Sequence, residues 1–186
     1  MSHTVIFKTK AKRRREGKTN SSKRLELLKS IHPRLVVRTT ANKCVCQIVE
    51  YSPAGDKNLA NATSLELKKY GYKGHNGNAA ASYLTGYLIA KKAASKKIKE
   101  CVLDIGLRTP VHGSNAFAAL KGAVDAGLIV AHSKEAFPKD ERMMKPTVKE
   151  AKAEMDKGIK PARPKQKPTA KGEVKKPTAK KEILKK

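Results

Sequence analysis

Large apolar residues at regular spacing are concentrated in the middle of this chain, and that confinement limits the possible folds more than any other feature. Between residues 25 and 142 the spacing alternates between the period of a strand and that of a helix. A short helix carrying Leu27 and Leu28, capped by Thr19 or Asn20, is expected to end at Pro33, after which RLVVR (34–38) reads as a strand. CVCQIVEYS alternates from Cys44, SPAGDKN is a turn, and residues 59–62 supply a third strand, so a hairpin stands at the front of the domain. Thr63 and Glu66 make a capping box for a helix through Tyr70, stopped by Gly71.

The second half repeats a simpler alternation. Asn78, at the end of the glycine-rich stretch GYKGHNGN, caps a long helix in which Ala80, Leu84, Tyr87 and Leu88 share a packed face. CVLDIG is a strand. Phe117, Leu120 and Val124 mark another long helix ended by Gly127, and LIVAHS is a final short strand. Strand, helix, strand, helix, strand requires crossover connections. The expected fold class is therefore α/β, a layered domain with a mixed, partly parallel sheet covered by helices.

Charge divides the chain the same way. Residues 1–24 hold nine Lys or Arg against one Glu, and residues 145–186 hold fifteen against five acids, out of a net charge of +26. The expected organisation is a basic N-terminal arm over 1–24, an α/β domain over 25–142 and a low-complexity basic tail over 143–186. In that tail KPTVK and two copies of KPTAK recur at 145, 167 and 176. Thr147 and Glu150 suit one exposed helix through Asp156, and the rest of the tail is expected to stay disordered until it meets a partner.

A charge of this size selects a polyanion as partner, because Lys and Arg release condensed counterions from phosphates. Arg13, Arg14 and Arg15, with Lys10, Lys12 and Lys18 around them, form an arm that grips phosphate but reads little base identity. No run of eighteen apolar residues or apolar signal segment occurs, so a cytosolic chain with no membrane partner is expected. Cys44, Cys46 and Cys101 are an odd number, and Cys-x-Cys has the wrong spacing for a zinc knuckle; on a strand, Cys44 and Cys46 share one face and act as small hydrophobes.

Catalytic signals are weak. Gly71, Gly74 and Gly77 precede a helix N-terminus but match no nucleotide-binding fingerprint. His32, His75 and His112 form no metal pair, and Asp104 lacks the converging acids that metal-assisted phosphoryl chemistry needs, which leaves it a loop-bracing role. No catalytic residue, metal ligand or cofactor is expected. Tyr51, Tyr70 and Tyr72 offer faces for base stacking, whereas Tyr83 and Tyr87 belong to the core. A DNA-binding protein and a nuclease are the competing readings.

RRREGKTN (13–20), PRLVVR (33–38), AASYLTGYLIAKKA (80–93), VLDIGL (102–107) and FAALKGAVDAGL (117–128) together closely resemble the large-subunit ribosomal protein L eighteen family in its archaeal form. The resemblance spans about residues 10–142 in unbroken order. It implies a structural protein, not an enzyme, that binds 5S ribosomal RNA and helps attach it to large-subunit ribosomal RNA in the central protuberance. Neighbouring large-subunit proteins, including a second 5S-binding protein, are the implied partners.

RNA contacts carried over by the resemblance are Arg13, Arg14, Arg15, Lys18, Asn20, Lys23 and Arg24 of the arm and Arg34 and Arg38 of the first strand. Lys73, His75 and Asn76 of the glycine loop join them, and Lys10 and Lys12 extend the arm. The chain has Tyr72 where the family often has tryptophan, and Asn115 and Ala116 where a basic residue is usual, so no RNA role is carried onto that second loop.

Overall fold

The computed structural model describes residues 9–144 and 146–157. The KPTAK repeats and the rest of the tail expected to be disordered lie outside the described residues, as do the first eight residues of the arm.

Three strands open the domain: β1 (Arg34–Thr39), β2 (Cys44–Glu50) and β3 (Lys57–Thr63). They pair antiparallel in sequence, with Arg34 opposite Val49 and Thr39 opposite Cys44, and a register shift at Ile48/Val49 lies between β2 and β3. β4 (Glu100–Asp104) joins β1 in parallel, and β5 (Ile129–Val130) joins β4 in parallel, giving the order β3-β2-β1-β4-β5. The mixed sheet agrees with the alternation in the sequence. β3 is two residues longer at its start than expected, and the final strand keeps only two residues of LIVAHS.

Two short helices form the arm, α1 (Lys12–Arg15) and α2 (Ser21–Leu28). Asn20 Oδ1 caps α2, accepting from the Ser22 and Lys23 amides at 3.1 and 3.2 Å. Thr19 has another partner, since its Oγ1 accepts from Arg13 Nε at 3.1 Å. α2 ends at Leu28, five residues before Pro33, with its last turn closed onto Lys29. The capping box at Thr63 and Glu66 is present, but it opens a 3-10 helix (Ser64–Tyr70) instead of an α-helix. Ser64 and Leu67, three apart, are the residues this segment buries, and three residues per turn puts both on one side. Gly71, at φ 75°, takes the left-handed position that ends it.

The long helices α3 (Ala79–Ala94) and α4 (Asn115–Asp125) lie on one face of the sheet, α3 over β2 and β3, α4 over β1 and β5. Leu35 and Val37 of β1, Cys44, Cys46 and Ile48 of β2 and Ala60 and Ala62 of β3 meet them in one core. Cys44 and Cys46 do share that face, their sulfurs 3.9 Å apart; the Cys44 thiol and burial push Cys46 well above the ordinary thiol range. Thirteen of the sixteen residues of α3 are buried, so it has no single packed face: sheet, α4 and C-terminal elements enclose it. Such close enclosure depends on glycine. A Cβ at Gly86 would be built into the Ala119 carbonyl, and one at Gly122 into the Tyr83 carbonyl.

Two further helices complete the domain, α5 (Asp140–Met143) and α6 (Pro146–Lys157). The sequence suggested an exposed helix over 147–156. Instead α6 buries Val148, Ala151 and Met155 against α3 and the 3-10 helix. These three recur at helical spacing in an otherwise polar segment, a stripe wide enough to dock on an existing core. Tyr87 Oη donates to Asp156 Oδ1 at 2.7 Å, and Lys91 Nζ lies 2.9 Å from the same oxygen. At the sheet's outer edge, Lys92 Nζ donates to the Asn61 carbonyl at 2.7 Å, and Lys96 Nζ donates to the Leu59 carbonyl of the same strand.

Candidate nucleic-acid interface

Alternation along β1 that sends Leu35 and Val37 into the core sends Arg34, Val36 and Arg38 to the opposite face, where no long helix lies. The arm crosses that face instead. Between them runs a groove of about 920 Å³, floored by β1, β2 and the end of β4. One wall carries Arg13, Lys18, Lys23 and Arg24, and the other is the loop holding Leu107, Arg108 and Pro110.

A chain of ion pairs organises the groove. Asp56, in the turn between β2 and β3, receives Arg24 NH2 on both carboxylate oxygens at 2.9 Å and Arg34 NH2 on Oδ2 at 2.7 Å. Arg34 NH1 reaches on to Asp104 Oδ2 at 3.0 Å, and Arg38 NH2 takes Asp104 Oδ1 at 3.1 Å. Arg38 NH1 also donates to the Asp104 and Val37 carbonyls, at 2.7 and 2.9 Å. Asp104 Oδ1 accepts from the Gly106 amide at 2.8 Å, which makes it the loop-bracing aspartate the sequence suggested and a counter-ion as well. Three arginines thus face two carboxylates, and the network stays cationic.

Burial separates the two arginines of β1. Arg34, expected as an RNA contact, is 5% exposed, with NH2 paired to Asp56 and NH1 to Asp104 while its buried Nε has no partner among the described residues. Its place is under the interface, holding the others. Arg38 keeps a side chain 46% exposed while its orientation is fixed by three acceptor contacts, so a cation is displayed at a set angle.

Other expected contacts distribute unevenly. Arg13, Lys18, Asn20, Lys23 and Arg24 line the groove; Lys10, Lys12, Arg14 and Arg15 are exposed on the arm beside it. Lys73, His75 and Asn76 lie outside the lining, in a loop folded on itself, where His75 Nδ1 accepts from the Gly77 amide at 3.1 Å. Tyr72, considered for stacking, is 4% exposed; burial raises its hydroxyl pKa, and it donates to Asn78 Oδ1 at 3.0 Å. Its ring faces the core, so it corrects that expectation. Tyr51 keeps an exposed face.

Arg108, Gln47 and Asp56 were not picked out by the sequence. Arg108 sits in the loop between β4 and α4, and nothing local marks Asp56, whose partners are 32 and 22 residues away. Among the described residues, no group of three or more His, Cys, Asp or Glu is placed to hold a metal ion. No described helix is long and apolar enough to cross a membrane.

Comparison with known proteins gives one answer. Residues 5–99 and 93–133 match the family described as ribosomal large subunit proteins 60S L5 and 50S L18. The large ribosomal subunit protein uL18 of Methanosphaera stadtmanae is 43% identical over 143 residues, 77% of this chain and 74% of the relative. That of Thermofilum pendens is 47% identical over 143 residues, covering 77% and 73%. The chain belongs to this family of ribosomal large-subunit proteins, a structural family without catalytic activity.

Proposed function

We propose that the chain binds 5S ribosomal RNA and helps attach it to large-subunit ribosomal RNA in the central protuberance, beside neighbouring subunit proteins that include a second 5S-binding protein. The supporting observation is the groove, in which a basic arm faces a displayed Arg38 across an ion-paired floor. A fixed array of cations fits the shape of a folded RNA backbone, whereas a free basic tail fits any polyanion. The exposed arginines of α1 supply affinity, and the groove supplies register. Large-subunit RNA takes the remaining basic surface.

The test is competitive binding of the purified chain to 5S RNA, an unrelated structured RNA and duplex DNA of equal length, each over a salt series. Preference for 5S RNA that persists at high salt supports recognition of RNA shape. Equal affinities that collapse together with salt would show only a polycation, and would favour the DNA-binding reading.

A further inference from the structure

A carboxylate in the wall of a groove built for a polyanion works against binding, since a nearby phosphate is repelled by it. Asp56 stands in that place, its side chain 25% exposed. Charge complementarity gives no reason for an acid there. Geometry does, because Asp56 joins two layers: Arg24 comes from α2 of the arm, and Arg34 from β1 beneath it.

The arm needs such a tie. α2 has eight residues, too few to be stable alone, and none is fully buried: Arg24, Leu27 and Leu28 are half-buried, so packing gives it only a partial hold. Among the described residues, Arg24 to Asp56 is the one ion pair that links α2 to the sheet. Asp56 is itself held by the buried Arg34, which Asp104 anchors from the other side. The path from arm to sheet is continuous, from Arg24 through Asp56 and Arg34 to Asp104.

We infer that Asp56 is a positioning residue for RNA recognition: it fixes α2 across the sheet before RNA arrives, so that the arm's cations are already aligned. Ordering the arm in the free protein removes an entropy cost from binding. Net affinity for the correct RNA then rises although the residue responsible is negatively charged. The inference rests on the RNA-binding function proposed above, and it predicts a sign opposite to that of Coulomb's law alone.

The experiment uses the full chain with Asp56→Asn and Asp56→Glu, each titrated with 5S RNA and an unrelated structured RNA over a salt series. With Asp56→Asn, affinity for 5S RNA falls by about tenfold, while affinity for the unrelated RNA stays level or rises, and Asp56→Glu restores the preference. Tighter or unchanged 5S binding by Asp56→Asn overturns the positioning role, and so does an equal loss for both RNAs, which would mean Asp56 merely supports the fold.

Amide hydrogen exchange without RNA tests the tie separately. Protection across α2 is expected in the unsubstituted chain and lost in Asp56→Asn. An α2 that exchanges freely in the unsubstituted chain overturns the inference even if the variant fails to fold. Loss of 5S preference by the unsubstituted chain, with α2 still protected, would instead count against the proposed function.

Discussion

The two faces of the sheet are held by different forces, although the same strand serves both. On the covered face, Leu35 and Val37 meet α3 and α4, whose backbones approach through Gly86 and Gly122. Shape decides there, and a methyl group in the wrong place is intolerable. On the open face, Arg34 and Arg38 meet Asp56 and Asp104, and polar distances decide. The covered face makes the fold durable, while the open face sets out charge at fixed positions for a partner.

The sharpest break between the faces should come from Gly86→Val. The new side chain is driven into the Ala119 backbone, so urea denaturation should show a loss of about 3 kcal/mol or more. RNA binding should fail only as the fold fails. Asp104→Ala should cost less, about 2 kcal/mol, because buried Arg34 keeps Asp56 as a partner. It should also weaken RNA binding in the material that remains folded, since Arg38 loses its carboxylate partner and keeps only the Asp104 and Val37 carbonyls; a stable variant with full affinity would separate the two roles of the open face.

Replacing Arg13, Arg14 and Arg15 together by Ala should weaken 5S binding about tenfold and lower the salt slope by up to about three. The thermal midpoint should not move, since none of the three is buried. Unchanged affinity and slope would remove α1 from the interface.

The smallest effect lies at α6. Lys91, and then Tyr87, hold the Asp156 carboxyl below the ordinary aspartate range. A carboxylate depressed on folding contributes stability that is fully present above its unfolded pKa of about 4 and is lost as pH falls through its lower folded value. Thermal melts should therefore show a small fall in stability at acid pH, and Asp156→Asn should lack that part of it. The pair is exposed enough that solvent screening keeps the effect slight.

Much of the fold was legible because its signals are local. Asn78 as a cap, Gly71 as a stop and the alternation of Cys44, Cys46 and Ile48 each act within a few residues. The docking of α6 was hidden because Val148, Ala151 and Met155 sit in a segment whose composition is otherwise that of a solvated tail. Site legibility followed the same rule. The arm showed itself as a run of basic residues, but in RLVVR nothing tells which arginine is displayed and which is buried. That depends on Asp104, seventy residues from Arg34, and on a turn aspartate with no local mark.

The lysines at the outer edge of β3 have a consequence of another kind. An edge strand offers its free carbonyls to the amides of any strand that drifts alongside, a common start of sheet-to-sheet polymerisation. Lys92, itself paired with Glu66 at 2.6 Å, and Lys96 already occupy the Asn61 and Leu59 carbonyls, so two acceptors of that edge are taken. Copies made faster than RNA can receive them therefore meet one another with two of that edge's acceptors already satisfied from within.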